Sequence, residues 1–419
     1  MIETAQYKLG EIATFINGRA YAMPEMLQTG KYRIVRVGNF TGKDEWYYSD
    51  MELEDDKYCQ QGDLLYKWAC TFGPEIWNEG KAIYHYHIWK VVPNPDLIDK
   101  DYLFYLLGQM TDQWLKAVHG STMVHITKEI MENNVVVVPK DVSVQRSIAL
   151  QLKQIDEKIV NNTAICSDLE AMAKLLYDYW FVQFDFPDEN GRPYKSSGGK
   201  MVWNEELKRE IPAGWEVSRI GDIISTERGI SYGTQNIRTG EGVPMLNLAT
   251  FMPGGGDYKA DGLKHFLGDY PKNKVLNPYD LIMCNTQQTA IKFETDIIGR
   301  AMLVPDIFDG DVVFSHHVNV IRTQDENMKY YLLFLFNSDY YHKYISGFTN
   351  GTNILGLSFN GVEDYLTEIP NDKLLNQFGE RVLEVERKKS LIFLENQQLA
   401  SLRDFLLPML MNGQVKIGN

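Results

Sequence analysis

The chain has 419 residues, 44% of them hydrophobic, which suits two or three domains with ordinary cores. No run approaches the roughly 18 apolar residues of a membrane span, and Met1-Ile2-Glu3-Thr4-Ala5-Gln6 lacks the charged and apolar regions of a secretory signal, so a cytoplasmic location is expected. A net charge of −14 excludes a broadly basic nucleic-acid binder and leaves only local basic grooves, while the scattered Cys59, Cys70, Cys166 and Cys284 form no CxxC pair and argue against a zinc module.

Residues 1–143 read as mixed and strand-rich. Short runs at 32–37, 63–68, 83–92 and 134–138 are separated by Gly, Pro, Asn and Asp turn signals, and a helical patch at 102–110 interrupts them. A long helical pattern follows. Ile148, Leu152, Ile155, Ile159, Asn162, Cys166, Leu169, Ala173, Leu176 and Trp180 alternate steps of four and three, the 3.5-residue period of a coiled-coil seam. Turn formers from Phe184 to Pro193 and the glycines Gly198-Gly199 then mark a connector.

The chain next repeats itself. Leu9-Gly10-Glu11-Ile12 returns as Ile220-Gly221-Asp222-Ile223, and Gly18 returns as Gly229, both displaced by 211 positions. Later matches, Gly120-Ser121-Thr122 with Gly351-Thr352-Asn353 and Pro139 with Pro370, are displaced by 231, as loop insertions would produce. Strand-like runs recur at 243–248, 280–284 and 312–322, followed by a helical patch at 329–336. A second seam closes the chain: Phe378, Val382, Val385, Lys389, Ile392, Asn396, Leu399, Arg403, Leu406 and Leu410. Asn162 and Asn396 read as matched seam asparagines, which cost stability but select register. Each helix spans about 35 residues, or roughly 50 Å. Two such seams in one chain predict mutual pairing, with separate core helices as the alternative. A period this long is a duplicated domain rather than a solenoid. Two copies can face a nearly twofold partner, and duplex DNA leads the candidates.

The stretch Leu176-Tyr177-Asp178-Tyr179-Trp180-Phe181-Val182-Gln183-Phe184-Asp185, then Ile211-Pro212-Ala213-Gly214-Trp215-Glu216-Val217 and Ile220-Gly221-Asp222-Ile223, resembles the central region of type I restriction-modification specificity subunits. The likeness covers essentially the whole chain. It implies an α+β fold of two tandem globular target-recognition domains, each followed by a long helix, the two helices pairing as an antiparallel coiled coil with pseudo-twofold symmetry. The corresponding boundaries are 1–143 and 214–372 for the domains, 144–185 and 373–412 for the helices, and 186–213 for the connector. It also implies a non-catalytic reader of a bipartite target on double-stranded DNA. Two adenine-methylating subunits would dock on the paired helices, and endonuclease/translocase subunits would join them. No cofactor is implied for this chain; S-adenosylmethionine, ATP and Mg²⁺ belong to the partner subunits.

The residues themselves carry little autonomous chemistry. Asn277-Pro278-Tyr279 lacks the second proline of an adenine methyltransferase motif, and Pro253-Gly254-Gly255-Gly256 follows no convincing strand-to-helix frame. Asp188 with Glu206-Leu207-Lys208 mimics a nuclease spacing without a supporting strand. His85 and His87 would share one strand face without a third metal ligand, and His316-His317 would point to opposite faces. Two rivals remain at this point: a self-contained nuclease or methyltransferase, and a coiled-coil adaptor with no DNA role.

DNA-contact candidates come from equivalent loops of the two copies. Arg19 and Tyr21 match Ser231, Tyr232, Thr234 and Gln235; Lys67 and Thr71 match Asn285, Thr286, Gln287 and Gln288; Ser121 and Thr122 match Thr352 and Asn353. Arg36 is a further cation for the cleft, with Arg33, Lys81 and Arg300 as weaker ones. Arg can reach guanine or phosphate, and Asn and Gln can bridge adenine. The loops differ between the copies while the framework persists, which predicts two different half-sequences.

Overall fold

The computed structural model describes residues 2–42, 45–117, 126–288 and 293–411. They form two compact units: one takes in the chain up to Val160 and returns at Gln397, and the other is Asn161–Asn396.

In the first unit, four antiparallel strands lie in the order Ala13–Asn17, Ile88–Pro93, Leu64–Lys67 and Gly73–Ile76. A second sheet runs Tyr47–Ser49, Tyr32–Val35, Ala82–Tyr84, Tyr58–Cys59, with its two middle strands parallel. Helix Lys100–Ala117 inserts Tyr102, Leu103 and Leu107 among Phe15, Leu64 and Tyr66, and strand Thr4–Lys8 pairs with Val135–Pro139.

The second unit repeats this order. Its antiparallel sheet is Ile224–Arg228, Val318–Thr323, Leu281–Cys284, Ala301–Leu303. Its other sheet joins Lys264–Phe266, Val243–Leu246, Val312–Phe314 and Val275–Leu276, again with a parallel middle pair, plus Ile237–Arg238 at one edge. Glu216–Arg219 pairs with Leu366–Ile369 as Thr4–Lys8 does with Val135–Pro139. The repeated sequence therefore encodes a repeated topology.

Two expected runs are broken. The 83–92 run divides into Ala82–Tyr84 and Ile88–Pro93, because Ile88 N donates to His85 O at 2.9 Å and closes a turn. The 312–322 run divides identically, with Val318 N on Ser315 O at 2.9 Å. His87, His316 and His317 are thus turn residues, so the strand-face arguments for the histidines fail; the rings of His316 and His317 sit 3.9 Å apart. The 186–213 segment is more than turns, since it folds Met201–Asn204 against Arg209–Pro212 as a hairpin.

The long helices are Val142–Tyr177, extended by a wider π turn at Asp178–Val182, and Asp372–Met411. Every residue of both seams is buried or half-buried. In the first unit, Ile148 and Leu152 share a core with Leu410 and Met411, and Arg403 Nη1 meets Asp156 Oδ1 at 2.9 Å. In the second, Asn162 Nδ2 donates to Asn396 Oδ1 at 2.8 Å, Lys389 reaches Glu170 at 3.1 Å, and Phe181 packs on Phe378 at 4.9 Å. Rising numbers on one helix meet falling numbers on the other, so the pairing is antiparallel within each unit. Counted by the 230-residue displacement of the seams, Asn162 corresponds to Ile392 and Asn396 to Cys166. The two asparagines are therefore facing partners, not repeat equivalents. The pair favours this register because a slip takes the buried Asn162 amide away from its Asn396 partner.

The central signature is a core. Tyr177, Trp180, Phe181, Phe184, Phe186, Ile211 and Trp215 join one buried cluster with Tyr331 and Phe378. Phe184 ends the helical stretch in the left-handed region (φ 62°), a costly conformation for a bulky residue, and is held there by its edge-on contact with Trp215 at 5.6 Å.

Candidate nucleic-acid interface

In each unit, two of the predicted loops converge on the turn that broke the expected strand. Arg19 N donates to Tyr84 O at 3.1 Å and Tyr86 N to Arg19 O at 3.0 Å; in the second unit Ile230 N donates to Phe314 O at 2.7 Å and His316 N to Ile230 O at 2.8 Å. On the other side, Trp68 N donates to His87 O at 3.2 Å, as Asn285 N does to His317 O at 3.0 Å. The same backbone knot therefore presents different side chains. Glycine is required where it tightens: a Cβ on Gly18 would lie 2.4 Å from His85 O, and one on Gly229 would lie 2.3 Å from Phe314 O.

Around the first knot, Tyr21 stacks on His85 at 6.3 Å, Trp68 meets His87 at 5.2 Å, and the Trp68 indole donates to Tyr86 O at 2.8 Å. Around the second, Tyr232 meets His316 edge-on at 5.4 Å, Arg228 Nε donates to His316 O at 2.6 Å, and Asn285 Nδ2 donates to the same carbonyl at 3.2 Å. Burial holds His85 and His317 down to about 4, with nearby positive groups adding to the effect, and burial lowers His87 as well. His85 and His317 are therefore neutral at pH 7.

The predicted residues divide into exposed and committed ones. Thr71, Ser231, Thr234, Gln235, Gln288, Thr352 and Asn353 are exposed, and Tyr232 is half-buried. Strand Ile354–Leu357 pairs with Thr286–Gln288 and also with Thr349–Asn350, so the turn carrying Thr352 and Asn353 stands beside Gln288. Ser121 and Thr122 lie outside the described residues. Lys67 is buried with its ammonium on Glu75 at 2.6 Å, Arg19 pairs with Glu25 at 2.7 Å, and Arg36 lies near Glu45 and over the Tyr47 ring at 4.2 Å. Arg33 pairs with Glu79, and Arg300 is buried against Asn337 O. These cations are locally neutralised, in keeping with the acidic chain.

Asn285, Thr286 and Gln287, expected as DNA-contact residues, are instead turned into the fold. All three are buried. Thr286 Oγ1 donates to Asn285 Oδ1 at 2.7 Å, and Asn285 Nδ2 also meets Asn319. Gln287 Oε1 accepts from Ile297 N at 2.5 Å and Ile298 N at 2.9 Å, while Gln287 Nε2 donates to Asp296 at 3.0 Å. Gln287→Ala strands two backbone donors, one of them buried, and is expected to lower second-unit stability by about 2–3 kcal/mol. Urea unfolding followed by tryptophan fluorescence checks this, and an unchanged midpoint would contradict it.

The other chemical motifs fall in local structure. Asn277-Pro278-Tyr279 and Pro253–Gly256 occupy turns or bends, Asp188 accepts from the Asn190 and Arg192 amides, and Lys208 pairs with Glu205. Among the described residues, no three His, Cys, Asp or Glu side chains are placed to hold a metal, and no helix is long and apolar enough to cross a membrane. Sequence reading missed the turns themselves, since Tyr86-His87 and His316-His317 carry no Gly, Pro, Asn or Asp signal. Only the matching backbone bonds, from Tyr86 N to Arg19 O and from His316 N to Ile230 O, reveal them.

One strand framework, used twice, carries different loops at one recurring knot. Comparison with known proteins places this framework in a family. The family described as type I restriction modification DNA specificity domain matches residues 1–171 and 212–377, and the chain belongs to that family. Its members are specificity subunits, which are non-catalytic. The chain is 26% identical over 334 residues to the MjaIX specificity subunit of Methanocaldococcus jannaschii, covering 78% of this chain and 71% of that one. It is 22% identical to the HindI specificity subunit of Haemophilus influenzae, covering 99% of this chain and 100% of the relative. The crystal structure of a type I S subunit from M. genitalium shares the fold at a TM-score of 0.56 and 13% identity, over 100% of this chain and 97% of that one.

Proposed function

We propose that this chain reads a bipartite sequence on duplex DNA, each recognition domain (1–143 and 214–372) contacting one half while the paired helices keep the halves at constant separation about a pseudo-twofold axis. The observation that carries this reading is one framework used twice with different loop side chains: identical scaffolds would place two readers equivalently, and different loops would give them different targets. Of the predicted contacts, Thr71, Ser231, Thr234, Gln235, Gln288 and Asn353 are exposed and Tyr232 is half-buried, and these carry the reading; Tyr21 is buried, and Arg19 and Arg36 are engaged by Glu25 and Glu45.

The helices would also dock two adenine-methylating subunits, with endonuclease/translocase subunits completing the assembly. S-adenosylmethionine, ATP and Mg²⁺ would act in those partners. A stripe of exposed apolar residues on the first helix, Ile165, Met172, Leu175, Tyr179 and Val182, supports a docked partner, because contiguous exposed apolar surface is characteristic of interaction sites.

Sequencing methylated adenines in cells that carry the chain with its methylation subunits tests this reading. The expected result is one motif of two defined halves around an unspecified gap. A contiguous motif, or sequence-indifferent binding in gel shifts with the methylation subunits present, would overturn it.

A further inference from the structure

We infer that the paired turn residues Tyr86 with His87, and His316 with His317, are specificity-determining residues that contact base edges of the two half-sites. This rests on the bipartite reading proposed above. It adds residues that the loop comparison did not select.

Three observations carry it. The turns occupy the same place in both units, where backbone bonds from the loops of Arg19 or Ile230 and of Trp68 or Asn285 meet. Any ligand that touches both predicted loops of a unit also meets its turn. Next, backbone preference does not select these side chains, and none of the four is fully buried. Turns of this kind favour Gly, Pro, Asn or Asp, and all four residues keep part of their surface exposed, Tyr86 to 38%. Residues that violate local backbone preference are expected at functional sites.

The third observation is unsatisfied polarity. Tyr21 Oη beside the first turn and His317 Nδ1 in the second are buried atoms without a hydrogen-bond partner. Such atoms are rare in folded proteins, and a water or a ligand that enters beside the turn can supply the missing partner. A neutral imidazole offers one donor and one acceptor, which matches the mixed donor and acceptor pattern of major-groove base edges. In the first unit the Tyr86 and His87 rings lie 3.9 Å apart beside Trp68, forming an aromatic surface, whereas the second offers two imidazoles. The two halves would therefore be read by different chemistry on one scaffold.

The test compares the adenine methylation motif of the wild type with those of Y86A/H87A and H316A/H317A, each expressed with the methylation subunits. Each double variant is expected to relax base preference in one half only, with methylation of the original site falling about tenfold or more. The other half should be unchanged. Should a double variant fail to assemble, His87→Asn and His317→Asn decide by the same readout. A bipartite motif unaltered by all these substitutions overturns this inference alone. A wild-type motif that is not bipartite strikes the proposed function, and this inference with it.

Discussion

Lys389→Met is expected to destabilise the second unit by roughly 3–5 kcal/mol, the range for breaking a buried ion pair by removing one partner. Lys389 is a seam residue whose side chain is 8% exposed, and its ammonium meets Glu170 at 3.1 Å, Asp257 at 3.3 Å and Glu386 at 3.1 Å. The cluster ties both helices to the loop that follows Gly254-Gly255-Gly256. Without the ammonium, the poorly solvated Glu386 is left beside the part-exposed carboxylates of Glu170 and Asp257. Adding Glu386→Gln should recover part of the loss, because one of the uncompensated charges disappears.

The cluster also sets a pH dependence. Burial, with a hydrogen bond to Asp257, pushes Glu170 up to about 7 against the lowering effect of Lys389, and burial raises Glu386 too. A carboxyl group whose folded value lies above its ordinary 4.5 contributes stability that is complete below about 4.5 and lost as pH rises through about 7. The wild-type second unit should therefore gain stability from this group between pH 8 and pH 5, and Glu170→Gln should flatten that dependence. The Lys389→Met loss should shrink over the same interval as the carboxylates take up protons. Urea midpoints at pH 5 and pH 8 measure both effects. An equal Lys389→Met loss at the two values would show that charge is not its cause.

The second large effect concerns the spacer. One heptad added to each helix, between Ile159 and Asn162 and between Asn396 and Leu399, should keep Asn162 opposite Asn396 and preserve both seams. Seven residues add about 10.5 Å, the length of about three base pairs at 3.4 Å each. Each base pair also turns the distal half-site by about 34°, so the expected increase in the gap is about one to three base pairs. Methylation at the original target should fall more than tenfold, since losing even one base pair's contacts costs about 1–3 kcal/mol. A heptad in one helix only should disrupt assembly, because the contacts beyond the insertion, Asp156 with Arg403 and Leu152 with Leu410, lose register with the Asn162–Asn396 pair. A methylome with an unchanged gap after the double insertion would remove the spacer from the proposed function.

Much of this protein was legible before folding. The repeat announced two copies of one framework, and their strand orders match. The 3.5-residue stripes marked the seams because apolar periodicity reports which face is hidden, whatever hides it. The signature around Trp180, Phe184 and Trp215 was visible as a pattern, although its physical role as an aromatic core was not. Polarity misled at Asn285–Gln287: a run of amides and hydroxyls reads as a base-contacting loop, yet Gln287 spends its side chain on the Ile297 and Ile298 amides. Polarity alone does not say whether a hydrogen bond is made to water or to the chain's own backbone.

What the sequence by itself determined is local and periodic: the duplication, the strand-forming runs, the seams and the family. Tertiary structure alone decided which polar groups are used up and which remain free. It also made Asn162 face Asn396 across the helices, placed Lys389 among three carboxylates, and brought turns without turn chemistry to the centre of each candidate interface. The reason is that hydrogen bonds and ion pairs join residues far apart in sequence, such as Trp68 with Tyr86 or Glu170 with Lys389. Their partners are chosen by topology, and no local pattern carries that choice.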